Sequence, residues 1–403
     1  MSPLLGNSVV LLSLLILTPL LFMKRIRASE SWQATVTPLA SIIGSGFLVS
    51  APLLILTTGD WAGIAMLGIV MVAYYLGSVM RFNIQYLEHY LANDHSSKII
   101  TPLEAVSHPT LGVAYMISVA FYLKLLSLFA MKGVGIHSTA AENILTTFIL
   151  LFIATVGWFK GLHMLEVLEK YAVNLKLAII GSLVIGFYAF NVFEFDHDLW
   201  YLTEHDHFTA WESFRRLLGI LIIIQGFETS RYMGELYSPQ TRIKTMRYAQ
   251  LISGFIYVTF VFSSMILFND VDTISETAVI ELCKLIAPIL PPLLIVAAIM
   301  SQFSAAVADS IGSSGLISES TRKLISIKQG VLITVVIAIS LVWLTNVFEI
   351  IVIASKAFAI YYGMQCMIAA RLAKNQGRLF YSLGFFALLI LMLLVIFIGV
   401  PVE

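Results

Sequence analysis

Two short stretches set polar and backbone-exposing residues inside otherwise apolar sequence. In ASIIGSGFLVSAP, Gly44, Ser45 and Gly46 interrupt an oily run, and in LLGILIIIQGFETSRYMGE, Gln225, Gly226 and Glu228 do the same. Each glycine inside a helix costs about 1 kcal/mol relative to alanine, so the interruptions need a reason. A helix that unwinds in an apolar medium leaves amides and carbonyls unpaired, which is tolerable only where a ligand, an ion or a water-lined cavity takes them up. At the first stretch, a half-helix ending near Ile43 and another starting near Gly46 and Phe47 would turn amides and a positive dipole end toward an anion such as a carboxylate. Carbonyls closing a half-helix near Ile223 and Ile224 suit an ammonium. Together they match a zwitterion, an amino acid. The alternative is that small residues merely allow helices to pack closely.

The rest of the chain says what must position these residues. With 59% hydrophobic and only 12% charged residues, the chain cannot hide its apolar side chains inside one water-facing globule. It reads as an integral membrane protein. Apolar runs of about 20 residues predict twelve spans, at 3–23, 33–58, 61–83, 111–132, 143–160, 168–192, 214–236, 245–268, 289–317, 329–346, 348–372 and 379–401. The first lacks the short apolar core and small-residue cleavage site of a signal peptide and is read as a retained helix. The connections near 84–110, 193–213 and 269–288 are too short for a soluble domain and are expected to hold surface helices.

Net charge is zero, with 24 basic and 24 acidic residues, which removes any charge-based case for a nucleic-acid partner. The two cysteines, Cys283 and Cys366, form no disulfide framework or Cys-rich metal site. Alternating sides along twelve spans gathers most basic residues, among them Lys24, Arg25, Arg27, Arg231, Arg242, Lys244 and Arg322, on one face, read as the cytoplasm; both termini are then expected outside, in a plasma or inner membrane. His197, His205 and His207 lie in an acidic stretch on the opposite face; without the ligand spacing of a tetrahedral site this reads as a solvated loop rather than a metal centre. His163 with Glu166 and Glu169 reads as a solvated helix end. No Walker sequence, HExxH or GxSxG occurs, so direct ATP drive, metalloprotease and lipase chemistry have no motif. Phe47 and Phe227, which adjoin the interruptions, are candidate pocket gates, although an aromatic in a span is more often packing.

Interruptions at matching positions of two five-helix halves point to an inverted-repeat transporter with a site at the bilayer midplane. IIGSGFLVSAP resembles the corresponding segment of the amino acid-polyamine-organocation (APC) permeases, and GFETSRYMGELYSPQTRIKTMRYAQLISG resembles their sixth core helix with the loop and helix that follow. The resemblance runs from about residue 33 to 373 and implies the ten-helix leucine-transporter fold: an all-α, 5+5 inverted repeat with repeats at 31–192 and 193–373, an extra helix and loop before it (1–30) and one helix after it (374–403). The family usually carries two extra helices after the core. A leading extra helix, together with AAIMSQFSAA, is similar to the sodium-solute symporters.

The resemblance also carries residue roles. It implies that Gly44, Ser45 and Gly46 meet the substrate carboxylate, with Ile43 and Phe47 beside them in the substrate site, and that Gln225, Gly226 and Phe227 meet the amino group, with Glu228 next to them. Lys176 sits where sodium-independent members carry a fifth-helix lysine, its ammonium taking the place of a sodium ion. That site would be lined by carbonyls of Ala40, Ile43 and Ala298 and the Ser301 hydroxyl, with Gln302 where the symporters have a second hydroxyl. A lysine at mid-bilayer costs roughly 2.5 to 3.5 kcal/mol. Desolvation lowers its pKa, which suits a proton carrier; the alternative is a lysine that snorkels or pairs with Glu228 or Asp309. Lys124 would contact an acidic substrate group or be a paired structural charge, Lys356 would help gate the tenth core helix, and Asp309 would serve packing, gating or ion binding. The expectation is a secondary active transporter, not an enzyme, moving an amino acid or related amine by alternating access. A proton gradient or exchange is preferred to sodium, and no cofactor or metal is expected. A sodium-coupled symporter is the alternative within the class, and a non-transporting solute receptor the alternative outside it.

Overall fold

The computed structural model describes residues 1–44, 46–92, 97–194, 208–268 and 277–402, with the backbone alone at 163–171, 194 and 222. Among these residues there is no strand; sixteen α-helices account for most of the chain. Ser45, the acidic loop with its three histidines and the NDVDTISE stretch lie outside the described residues, as do the side chains of His163, Glu166 and Glu169.

Helix α1 (Pro3–Phe22) opens on a Ser2 cap with proline in the first turn and is followed by the basic turn α2 (Lys24–Arg27). The first interrupted span is α3 (Glu30–Gly44) with α4 (Phe47–Thr58). α5 (Ala62–Phe82) runs through a π-helical turn at Asn83–Leu87 into α6 (Glu88–Ala92). Next come α7 (Ile100–Gly133), α8 (Thr139–Phe159) and α9 (His163–Glu194). α10 (Ala210–Ile220) begins at a Thr209–Glu212 capping box and passes into 3₁₀ turns at Leu221–Ile224 and Phe227–Tyr232. The chain finishes with α11 (Pro239–Ser264), the short α12 (Ala278–Ile286), α13 (Leu290–Ser320), α14 (Ile327–Leu344), α15 (Val347–Asn375) and α16 (Leu379–Ile398). Asn346–Glu349 and Ser326–Gln329 capping boxes start α15 and α14, satisfying amides that the helix cannot pair for itself.

Ten helical stretches among the described residues are long and apolar enough to cross a membrane. The two further expected spans fall short of that length because each is broken: α3 has 15 residues and α10 has 11. The middle of the bundle is α7, 83% of whose apolar window is buried, and it packs along α13 and α15; α1 and α16, at 17% and 22%, are peripheral. Leu15, Phe148, Phe380 and Phe397 point outward, an arrangement that a bilayer stabilises and water does not. At 34 residues α7 is about 51 Å long and exceeds the ~30 Å hydrocarbon layer, so what reads as a span from 111 begins eleven residues earlier. α12 differs from a surface helix: its apolar face is buried, and it packs on α13 and α4.

Candidate functional site

The two interruptions lie against each other. Gly46 has extended backbone, and a Cβ on it would stand 2.3 Å from Ile223 Cγ1. Gly226 has φ +117°, and a Cβ there would meet Ser41 Oγ at 2.4 Å and the Ile42 amide nitrogen at 2.8 Å. Glycine is required at 226 on both counts, since the left-handed region disfavours a side chain and no room exists for one. Gly44 is the last residue of α3 and rests on α13, where a Cβ would meet Ala305 Cβ at 2.8 Å. Close packing is thus part of what the small residues provide.

The opened backbone finds partners that the sequence did not disclose. The Tyr257 hydroxyl on α11 donates to the Ile42 carbonyl at 2.9 Å and reaches the Ile223 carbonyl at 3.5 Å, bridging the two breaks. The Gly226 amide donates to Glu228 Oε2 at 2.9 Å. Glu228, fully buried, also accepts from Tyr362 at 2.6 Å and Tyr115 at 3.3 Å, so its carboxylate is held by hydroxyls from α15 and α7. Gln225 Nε2 donates to the Tyr122 hydroxyl at 2.5 Å. Two buried polar atoms at the breaks, Ser41 Oγ and Gln225 Oε1, and a third on α13, Gln302 Oε1, have no hydrogen-bond partner among the described residues. In native proteins such atoms are few, and a bound ligand or water is the usual reason for them.

Lys176 is fully buried on α9, and its Nζ donates to the Ala40 carbonyl and to Ser301 Oγ, each at 3.3 Å. The ammonium therefore joins α3 to α13 one turn before the first break. Ala298 and Gln302 are buried on the same α13, and Asp309 lies buried further along it. Phe227 stacks on Tyr362 with ring centroids 5.3 Å apart, whereas Phe47 turns toward α11, 4.3 Å from the Phe260 ring. Lys124 is a paired charge: it contacts Glu142 at 3.4 Å and donates to Asn143. Lys356 is half-buried on α15, away from this cluster's hydrogen bonds.

One turn beyond Glu228, toward the end of the bundle rich in basic residues, lies a second buried polar cluster. Arg231 donates to Glu104 Oε1 at 2.6 Å and to the Gln365 side chain. Gln365 Nε2 donates to Glu104 Oε2 at 3.1 Å and to Ser107 at 3.0 Å, and Asn83 donates to Gln365 Oε1 at 2.8 Å. His108 Nε2 lies 3.2 Å from Glu104. The cluster ties the turn after the second break to the π-helical turn that follows α5, to α7 and to α15. A bidentate Arg242–Glu88 pair, at 2.8 and 2.6 Å, closes the same end, with Arg242 also donating to the Arg231 carbonyl at 2.7 Å. Arg231, which in the sequence is one of the basic residues of one face, is here the buried partner of Glu104.

An all-helical membrane bundle with two broken spans abutting at its centre has the build of a membrane transporter. The chain belongs to a family of APC superfamily transporters, which matches residues 24–399. It is 44% identical over 404 residues to an uncharacterized protein of Aquifex aeolicus (strain VF5), covering 98% of this chain and 96% of the relative.

Proposed function

We propose that this transporter carries an amino acid or related amine by alternating access, coupled to protons or run as an exchanger. The observation that carries the reading is the abutment of the two breaks, with orphaned polar atoms at Ser41 and Gln225 beside them. The amide side of the first break, from Ile43 through Gly44, Ser45 and Gly46, receives the carboxylate. Gln225, Gly226 and Glu228 on the second receive the ammonium, with Phe227 as an aromatic wall. The halves 31–192 and 193–373 form the inverted repeat of the leucine-transporter fold, and the basic end faces the cytoplasm, with the Arg231–Glu104 cluster closing that side. Lys176 favours protons over sodium: an ammonium bonded to Ala40 and Ser301 already supplies the positive charge a sodium ion would bring.

A thermal-stability screen against the twenty amino acids and common amines names the ligand, since a compound that binds only the folded state stabilises it by RT ln(1 + c/Kd) at free concentration c. Uptake of that compound into proteoliposomes, titrated against sodium and pH, then tests transport. Sodium-independent flux that follows the proton gradient or counter-substrate is the expected result. Binding without flux would make the chain a receptor and overturn the reading.

A further inference from the structure

We propose that a groove at the basic end of the bundle is a binding site for an anionic phospholipid, with a phosphodiester at its mouth and an acyl chain along its floor. The groove, of about 510 Å³, lies between the end of α1, α2, the first turns of α3, and α11. Its apolar wall includes Leu21, Ile26 and Leu251, the last 54% exposed, so that it opens sideways where the bilayer lies. Its polar rim is cationic. Arg25 lines it, is exposed, and makes no hydrogen bond or ion pair with any described residue. Tyr248 forms the facing rim, and Lys244 Nζ sits 5.6 Å from the centroid of its ring. Lys24 and Arg27 flank Arg25 on α2, whereas the one acid of the neighbouring sequence, Glu30, is absent from the lining.

One cation in the lining, Arg25, and a second beside the facing tyrosine, Lys244, neither ion-paired with a described carboxylate, together with the apolar wall match a headgroup of net negative charge on an acyl chain. A zwitterionic lipid brings its own cation to the same rim and gains less. The site is independent of which solute the transporter carries. Because α3 forms one wall, its occupant lies beside the first half of the interrupted span.

Trp32, one of six tryptophans, lines the groove and supplies the readout. The protein is reconstituted with dibrominated phosphatidylglycerol or dibrominated phosphatidylcholine, and the Trp32 signal is the difference between unaltered protein and Trp32→Phe. The expected result is quenching by phosphatidylglycerol at a several-fold lower mole fraction than by phosphatidylcholine. Arg25→Gln with Lys244→Gln should abolish that preference while leaving quenching by phosphatidylcholine unchanged, which also reports that the fold is kept; Arg25→Lys should retain the preference. Equal quenching by both lipids, or a preference that survives the double substitution, would overturn the proposal. So would relief of the quenching by millimolar inorganic phosphate, which would mark a free-anion site.

Discussion

Lys176 and Ser301 meet at 3.3 Å, ammonium to hydroxyl, in the buried seam where α9, α3 and α13 come together. The Ala40 carbonyl also accepts from it at 3.3 Å, so the ammonium meets oxygen ligands of the kind a sodium ion would use. Lys176→Ala therefore leaves a buried carbonyl and hydroxyl short of a donor, a cost of about 1–3 kcal/mol, unless a cation enters. The expected outcome is weak uptake without sodium, loss of its pH response, and recovery as sodium is added. Sodium titration of proteoliposome uptake checks this, and full proton-driven uptake by the variant would defeat the role given to Lys176.

Gly226→Ala is expected to be far worse than its backbone strain alone. Gly135 provides the comparison: both have positive φ, but a Cβ on Gly135 meets nothing within 4 Å, whereas on Gly226 it meets Ser41 and Ile42. Gly135→Ala should cost about 1 kcal/mol, and Gly226→Ala several times that, because the added carbon must push the two breaks apart. Thermal unfolding in detergent measures the difference. Similar losses at the two positions would mean that the breaks do not need to touch.

The Glu228 carboxylate is held by Tyr362, Tyr115 and the Gly226 amide. Tyr362→Phe removes the 2.6 Å donor and should destabilise by about 1.5–3 kcal/mol, the range for a hydrogen bond to a charged group; Tyr115→Phe, at 3.3 Å, should cost less. If Glu228 meets the substrate ammonium, Glu228→Gln should raise the half-saturation concentration for a cationic amine more than that for a neutral amide analogue. Equal effects on both would assign Glu228 to holding the turn rather than to recognition.

The breaks themselves were legible because glycine and glutamine are costly in an apolar run unless a polar partner meets them, and Lys176 was legible because a mid-span lysine is costlier still. The residues that complete the cluster were not. Tyr115, Tyr122, Tyr257 and Tyr362 sit in apolar helices, where an aromatic reads as packing or as an interfacial belt residue. Only the rotation of α7, α11 and α15 aims their hydroxyls inward. Mid-span placement was the available signal, since a buried tyrosine hydroxyl needs a partner. Phe47 was legible as a residue adjoining a break, but not its neighbours: its ring lies against Phe260 and edge-on to Tyr257, both on α11. Arg231 read only as one of the cations of the basic face because the 3₁₀ turn that draws it inward follows the break and has no periodicity of its own.

The Arg231–Glu104 pair is the clearest candidate for what keeps the basic end closed, and the chain carries its own reporter. Cys366 follows Gln365 on α15 and is completely buried; Cys283, equally buried on α12, is a control remote from the cluster. Arg231→Gln or Glu104→Gln alone leaves the opposite charge buried without its partner, a loss of about 3–5 kcal/mol. Replacing both, as Arg231→Met with Glu104→Leu, should cost clearly less than the sum, because no stranded charge remains. If the pair also holds α7, α15 and the turn after the second break together, each single variant should speed alkylation of Cys366 by a water-soluble maleimide and leave Cys283 unchanged. Added substrate should alter the rate at Cys366 alone. Parallel acceleration at both cysteines would signal general loosening, and an unchanged Cys366 would show that the pair stabilises the bundle without closing it.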